Sequence, residues 1–297
     1  MSAGAPAAVA VVGLGAMGSR LAANLLADGH RVTVANRTAV AAEPLVAAGA
    51  RAAGTPREAA AAAGVGLVCV SDDEASRAVW TDPASGILAA ARDGLVGVEA
   101  STVSPGWAAE LADRAAAAGI GFLEAPMVGS RPQVEARALH VLVGGDPDLL
   151  ERVRPVLAAS AAAVHRTGAP GSAATAKLLV NALFAIQVEA VAELLAYASG
   201  RGLDPETARE LIGALPVASP AAMRAADAML ARRFEAAFPL RLLVKDLRYL
   251  LAGGPSPLAE TVLSAADRLV AAGRGEDDAV VLARPWLDPE RTTTHRP

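Results

Sequence analysis

The segment Gly13-Leu14-Gly15-Ala16-Met17-Gly18 constrains this chain more than any other, because it is a G-x-G-x-x-G spacing set between an apolar run and a helical stretch. The run Ala7 to Gly13 reads as a buried strand, and Ser19 to Asp28 reads as a helix ended by Gly29. In that context Gly13 permits the tight turn, Gly15 lets the backbone approach a pyrophosphate, and Gly18 lets helix and sheet pack closely. The N–H groups and positive end of the following helix suit a phosphate. A dinucleotide is therefore the expected ligand of Gly13, Leu14, Gly15, Ala16, Met17 and Gly18.

The rest of the first half fits that start. Further strands are expected at Arg31 to Ala35, Gly66 to Val70, Gly97 to Ala100, Gly121 to Glu124 and His140 to Val143, with a short helix at Pro44 to Ala48. Strand–helix alternation predicts an α/β Rossmann domain with a doubly wound, mostly parallel sheet. After Gly168 the pattern changes. Ser172 to Ser199 carries no turn signal, and Pro205–Leu215, Pro220–Ala231, Leu240–Leu251 and Pro257–Ala272 also read as helices. An all-α C-terminal domain is expected, with the boundary between 1–166 and 167–297 and a long interdomain helix opening the second part. The tail from Asp288 is expected to be frayed.

Composition narrows the partners. The 297 residues carry a net charge of −4, which gives no basic footprint for nucleic acid. The most apolar windows are broken by Gly, Asp, Arg or Asn before the roughly 20 residues that span a bilayer, so no membrane partner is expected. Cys69 is the single cysteine, so no intrachain disulfide is possible, and it reads as a small buried strand residue. His30, His140, His165 and His295 lack metal-site spacing, and no metal is expected. A cytoplasmic protein acting on a small molecule is the resulting expectation.

The nucleotide choice is written at the end of the second strand. An Asp or Glu there would hold a ribose 2′-hydroxyl, but the chain has Asn36-Arg37-Thr38. Arg37 can pair with a 2′-phosphate, and Asn36 and Thr38 can add neutral bonds, so NADP(H) is the expected cofactor. Ser71 and Asp72 end the third strand and either border the cofactor or cap the next helix.

The chain resembles the β-hydroxyacid dehydrogenase family, which includes 3-hydroxyisobutyrate dehydrogenases and glyoxylate or succinic semialdehyde reductases. The resemblance rests on five motifs in order: Gly13 to Gly18, Ser101-Thr102-Val103-Ser104-Pro105, Glu124-Ala125-Pro126, Gly171 to Asn181, and Lys245-Asp246-Leu247. Lys177 and Asn181 lie four apart and so share a helix face. A lysine among Ala, Leu and Val is desolvated, which lowers its proton affinity and suits it to proton transfer to a developing oxyanion. The resemblance implies the catalytic role for Lys177 and Asn181. It also implies that Ser101 and Thr102 contact substrate or nicotinamide, with a capped turn as the alternative. Lys245 is implied to reach the cofactor, with a surface Lys–Asp pair as the alternative. Met127 and Trp107 either wall the site or are packed bulk.

One stretch departs from the family. Where its members read Asp-Ala-Pro-Val-Ser-Gly-Gly, this chain has Glu124-Ala125-Pro126-Met127-Val128-Gly129-Ser130-Arg131. Val128 replaces a serine that grips a substrate carboxylate, and Ser130 or Arg131 stands near enough to substitute. Val128, Gly129 and Ser130 are the expected substrate residues beside Ser101 and Lys177. Arg137 and Ala138 stand where the family has a glycine and a small hydroxyl residue. The departure keeps an imine-reductase-like activity as an alternative, although those enzymes generally lack the lysine. A non-catalytic dinucleotide-binding scaffold or sensor is the alternative of another class. Long apolar helices in the second half make a homodimer or higher oligomer the expectation.

Overall fold

A computed structural model describes residues Pro6–Leu287; the tail from Asp288, read as frayed, lies outside the described residues. The chain divides into two compact units, Met1–Lys177 and Leu178–Pro297. The division falls inside a long helix, whereas the sequence placed it ahead of that helix.

The first unit holds nine strands among the described residues: β1 (Ala8–Val12), β2 (Arg31–Ala35), β3 (Arg51–Ala52), β4 (Val65–Val68), β5 (Val96–Glu99), β6 (Gly121–Glu124), β7 (Met127–Val128), β8 (Leu139–Gly145) and β9 (Ala161–Gly168). They form one sheet in the order β3-β2-β1-β4-β5-β6-β8-β7, with β9 paired to β8. All pairs from β3 to β6 are parallel, β8 runs antiparallel to β6 and β7, and β9 runs parallel to β8. The order reverses between β1 and β4, so the ligand crevice of a doubly wound sheet falls at the carboxyl ends of those strands.

The helices of this unit are α1 (Gly18–Ala27), α2 (Glu43–Ala47), α3 (Pro56–Ala60), α4 (Asp73–Thr81), α5 (Pro105–Ala117), α6 (Arg131–Glu135) and α7 (Pro147–Ala158), and α8 (Ser172–Gly200) starts within it. Both sheet faces are covered, which explains why β1 is a continuous Ala-Val-Ala-Val-Val run and not an alternating one. Val9 and Val11 pack into a core with Leu21 and Leu25 of α1. Ala10 and Val12 face the opposite core, built around Trp80, Trp107 and Leu111.

The second unit continues α8 and adds α9 (Pro205–Ala214), α10 (Pro220–Leu230), α11 (Leu240–Ala252), α12 (Pro257–Leu269) and α13 (Arg284–Leu287). Ala185, Val188, Ala192 and Leu195 of α8 pack with Met229, Leu243, Leu247 and Val262. Expected helix 257–272 ends at Leu269, where a wider turn over Val270–Arg274 follows, with Gly273 at φ 78°. The sequence reading of the apolar windows needs one correction. By length and composition alone α8 is apolar enough to cross a bilayer, because Asn181, Glu189 and Glu193 are too few to interrupt it; 44% of its most apolar window is buried in the protein.

Candidate active site

The loop after β1 is built by its own glycines. Gly13 sits at φ 91°, and a Cβ there would lie 2.2 Å from the Cys69 carbonyl oxygen. A Cβ on Gly18 would lie 1.9 Å from the Gly13 carbonyl oxygen, whereas one on Gly15 would meet nothing within 4 Å. Gly13 and Gly18 are therefore required by the fold, and Gly15 leaves open space. The helix it introduces, α1, has no side-chain cap and no acid in its first turn. By contrast α3, α4, α5 and α7 are capped by Thr55, Asp72, Ser104 and Asp146. An uncapped helix N-terminus beside an open glycine fits a dinucleotide pyrophosphate.

Two motif positions hold the loop together. Leu14 is 7% exposed inside the core, and its N–H donates to Asn36 Oδ1 at 2.9 Å. The Asn36 amide in turn donates to the Thr38 carbonyl at 3.0 Å, so Asn36 ties the loop after β1 to the loop after β2. Met17 packs against the α1 core, and Ala16 is exposed and accepts a bond from Arg20. Arg37 and Thr38 are exposed. No carboxylate among the described residues pairs with Arg37.

At the end of β4, Ser71 donates to Asp72 Oδ2 at 2.7 Å and Asp72 caps α4 through the Ala75 N–H at 2.8 Å. Asp72 thus forms the helix cap, with Ser71 bonded to it. Ser101, 3% exposed, accepts the Val70 N–H at 2.8 Å, and its own N–H donates to Glu99 Oε1 at 2.9 Å. It is a fastener between the ends of β4 and β5, and Thr102 beside it is half-buried. Trp107 is 1% exposed core, with its Nε1–H donating to Ser76 at 2.8 Å. The sequence missed Glu99, whose buried carboxylate also accepts bonds from Ser76 and from Trp80 Nε1 at 2.8 Å. Burial raises its proton affinity, and the bonds from Ser101, Ser76 and Trp80 oppose that.

Glu124, in the Glu124-Ala125-Pro126 motif, lies at the end of β6. Its carboxylate accepts the N–H groups of Ala173 at 2.8 Å and Ala174 at 2.9 Å, which caps α8. Burial raises the Glu124 proton affinity, and the backbone donors lower it. Past it, Met127 packs into the α1 core, Val128 is half-buried in β7, and Gly129 holds φ 127°. Ser130 forms a capping box with Gln133 at the start of α6, and Arg131 is the first residue of that helix. Ser130 is thus already engaged with the helix. Arg137 adopts φ 55°, a left-handed conformation in which the family's glycine carries no strain; it pairs with Asp28. Ala138 beside it is half-buried.

Lys177, 8% exposed, lies in the second turn of α8 and closes the first unit. Asn181, 6% exposed, follows one turn later and belongs to the second. There its Nδ2 donates to Asp246 Oδ2 at 2.6 Å, and Asp246 Oδ1 pairs with Lys245 Nζ at 2.8 Å. Lys245 Nζ also stands 4.7 Å from the Tyr249 ring centroid. Lys245 thus pairs with Asp246 below the surface, and Asp246, 3% exposed, also holds Asn181. No group of three or more His, Cys, Asp or Glu among the described residues is placed to hold a metal ion.

Sheet order, uncapped α1 and buried lysine together define a dinucleotide-binding fold of the oxidoreductase type. Residues 8–168 match the NAD binding domain of 6-phosphogluconate dehydrogenase, and residues 171–286 match the NAD-binding domain of NADP-dependent 3-hydroxyisobutyrate dehydrogenase. The chain belongs to the β-hydroxyacid dehydrogenase family. It is 31% identical over 94% of its length to the cytokine-like nuclear factor N-PAC of Homo sapiens, and it spans 51% of that protein. It is 29% identical to 2-(hydroxymethyl)glutarate dehydrogenase of Eubacterium barkeri, covering 94% of each chain. Among solved structures, Mycobacterium tuberculosis 3-hydroxyisobutyrate dehydrogenase with L-serine superposes with a TM-score of 0.87 at 28% identity, over 94% of this chain and 98% of that one. An imine reductase from Myxococcus stipitatus in complex with NADP+ superposes with 0.63 at 25% identity, over 93% and 98%.

Proposed function

We propose that the protein is an NADP(H)-dependent oxidoreductase that interconverts a small hydroxy acid and its carbonyl acid. The observation that carries this reading is the buried Lys177 near the start of α8, a helix whose first N–H groups are already taken by Glu124. The bound nicotinamide supplies or accepts the hydride. Lys177 gives a proton to the substrate oxygen in reduction and takes it back in oxidation. Its ammonium also stabilises negative charge as that charge builds on the oxygen. Asn181, fixed by Asp246, orients the substrate. The open Gly15 and uncapped α1 receive the pyrophosphate, and exposed Arg37 receives the 2′-phosphate. The protein works in the cytoplasm, and exposed Leu179, Leu183, Leu194 and Tyr197 on α8 support a homodimer or higher oligomer.

Retention of the lysine and the higher TM-score to the hydroxyacid dehydrogenase favour C=O over C=N reduction. The test follows NADPH absorbance with glyoxylate, succinic semialdehyde, neutral aldehydes and cyclic imines, against NADH, Lys177→Ala and Arg37→Ala. The expected result is turnover of an aldehyde acid that disappears in Lys177→Ala, with NADPH preferred until Arg37 is removed. Imine turnover that survives Lys177→Ala would favour the imine reductase reading. Tight NADPH binding without any turnover would leave the scaffold reading.

A further inference from the structure

The register of β6, β7 and β8 is unbroken: Glu124 faces Gly144, Met127 faces Val141, and Val128 faces His140. Strand side chains alternate between faces, so the even-numbered residues Glu124, Val128, His140 and Gly144 share one face. Glu124 is bonded to the start of α8, so that face is the one that carries the helix of Lys177. The opposite face takes Met127, Leu139, Val141 and Val143 into the α1 core. Directly opposed residues in an antiparallel pair stand side by side, which makes His140 the neighbour of Val128.

His140 does not stand alone. Leu142 pairs in parallel register with His165, which brings the second imidazole to the same face. His140 Nδ1 lies 2.9 Å from His165 Nε2. The ring centroids are 5.2 Å apart and the planes within 3°. The N···N contact plus the two ring radii accounts for that separation, so the rings meet edge to edge in a hydrogen bond. One ring must donate and the other accept. When His165 Nε2–H is the donor, His140 carries its own proton on Nε2, at the outer edge of an exposed ring.

We propose that His140, held by His165, is a specificity-determining residue that supplies the substrate-carboxylate donor which Val128 cannot. The inference rests on the hydroxy-acid reading above and deepens it. An imidazole N–H replaces the hydroxyl lost from the neighbouring strand.

The test compares wild type, His140→Ala, His140→Gln and His165→Ala, each saturated with NADPH, on the aldehyde acid that wild type turns over and on its neutral methyl ester. His140→Ala is expected to raise KM for the acid by about 10-fold or more, with kcat within about 2-fold. The ester should be unaffected, and NADPH affinity by fluorescence should match wild type. His140→Gln keeps an N–H donor and should recover much of the loss. His165→Ala should give a smaller rise. An unchanged KM for the acid in His140→Ala, or an equal rise for acid and ester, would overturn the proposal while leaving the hydroxy-acid reading intact. Absence of aldehyde-acid turnover by wild type would remove that reading and this inference together.

Discussion

Glu124 Oε1 accepts the Ala173 N–H at 2.8 Å, joining the end of β6 to the start of α8 across 49 residues. The second carboxylate oxygen takes the Ala174 N–H, and the absence of a side chain on Gly144 gives the carboxylate room: a Cβ there would lie 2.1 Å from Glu124 Oε1. A negative group at the positive end of a 29-residue helix is favoured by the helix dipole as well as by the two bonds. Glu124→Gln turns an N–H donor toward an N–H donor, so a cost of about 1–3 kcal/mol is expected, read in urea unfolding. Gly144→Ala should cost at least as much by displacing the same carboxylate. A Glu124→Gln protein as stable as wild type would mean that the cap contributes nothing.

Cys69 lies in the loop under Gly13 and Gly18. Burial pushes its thiol up to about 12, the Glu99 carboxylate pushes the same way, and the Gly18 N–H opposes both. Cys69 is half-buried and its thiol keeps its proton, so the native protein should react with thiol reagents at pH 8 far more slowly than the unfolded chain. The sign for stability follows from linkage. The folded thiol keeps its proton to about 12 while the reference value is 9.0, so this contribution is complete below 9.0 and is lost as pH rises through about 12. Cys69→Ser should flatten that alkaline decline in a pH series of denaturation midpoints. Rapid labelling of the native thiol at pH 8 would contradict this account.

The sequence made β1, α1 and α8 legible for simple reasons. β1 is a buried apolar run stopped by a glycine, and α8 has no breaker from Ser172 to Gly200. β9 was missed because Ala161–Gly168 reads Ala-Ala-Ala-Val-His-Arg-Thr-Gly, with no period of two, and its pairing to β8 carries two irregularities. β3 and β7 are two residues each, too short to show a pattern. In the site, Gly13 and Gly18 were readable because each answers a backbone demand, and Gly15 because it leaves the backbone open to a ligand. The bond between Leu14 and Asn36 was not readable, because a motif does not reveal that its members bond to one another. Asp246 and Glu99 were invisible as orienting groups, since Asp246 meets Asn181 across 65 residues and Glu99 meets Ser76 across 23.

Asp246 links Asn181 and Lys245 through its two oxygens. Asp246→Ala removes the acceptor of a 2.6 Å bond from a buried amide and leaves the Lys245 ammonium, 15% exposed, without this partner. A loss of about 1–3 kcal/mol of stability is expected. If Asn181 orients substrate, kcat/KM should fall by more than stability alone accounts for, at a temperature where the variant is fully folded. Asp246→Asn can still accept from Asn181 and should retain more activity than Asp246→Ala. Equal activity of both variants and wild type would separate Asp246 from the reaction.

Gly15 and Gly18 make opposite demands although three residues separate them. A Cβ on Gly18 would meet the Gly13 carbonyl oxygen at 1.9 Å, so Gly18→Ala must move backbone whether or not a nucleotide is present. A Cβ on Gly15 meets no protein atom within 4 Å, so Gly15→Ala should fold as wild type does. Its methyl group would instead occupy the space that a pyrophosphate needs against the backbone. Thermal unfolding without nucleotide should therefore show Gly18→Ala destabilised and Gly15→Ala unchanged within about 0.5 kcal/mol. Addition of NADPH should raise the midpoint of wild type but raise that of Gly15→Ala much less, because stabilisation by a ligand follows its affinity. Full NADPH stabilisation of Gly15→Ala would mean that the phosphates do not lie over this loop.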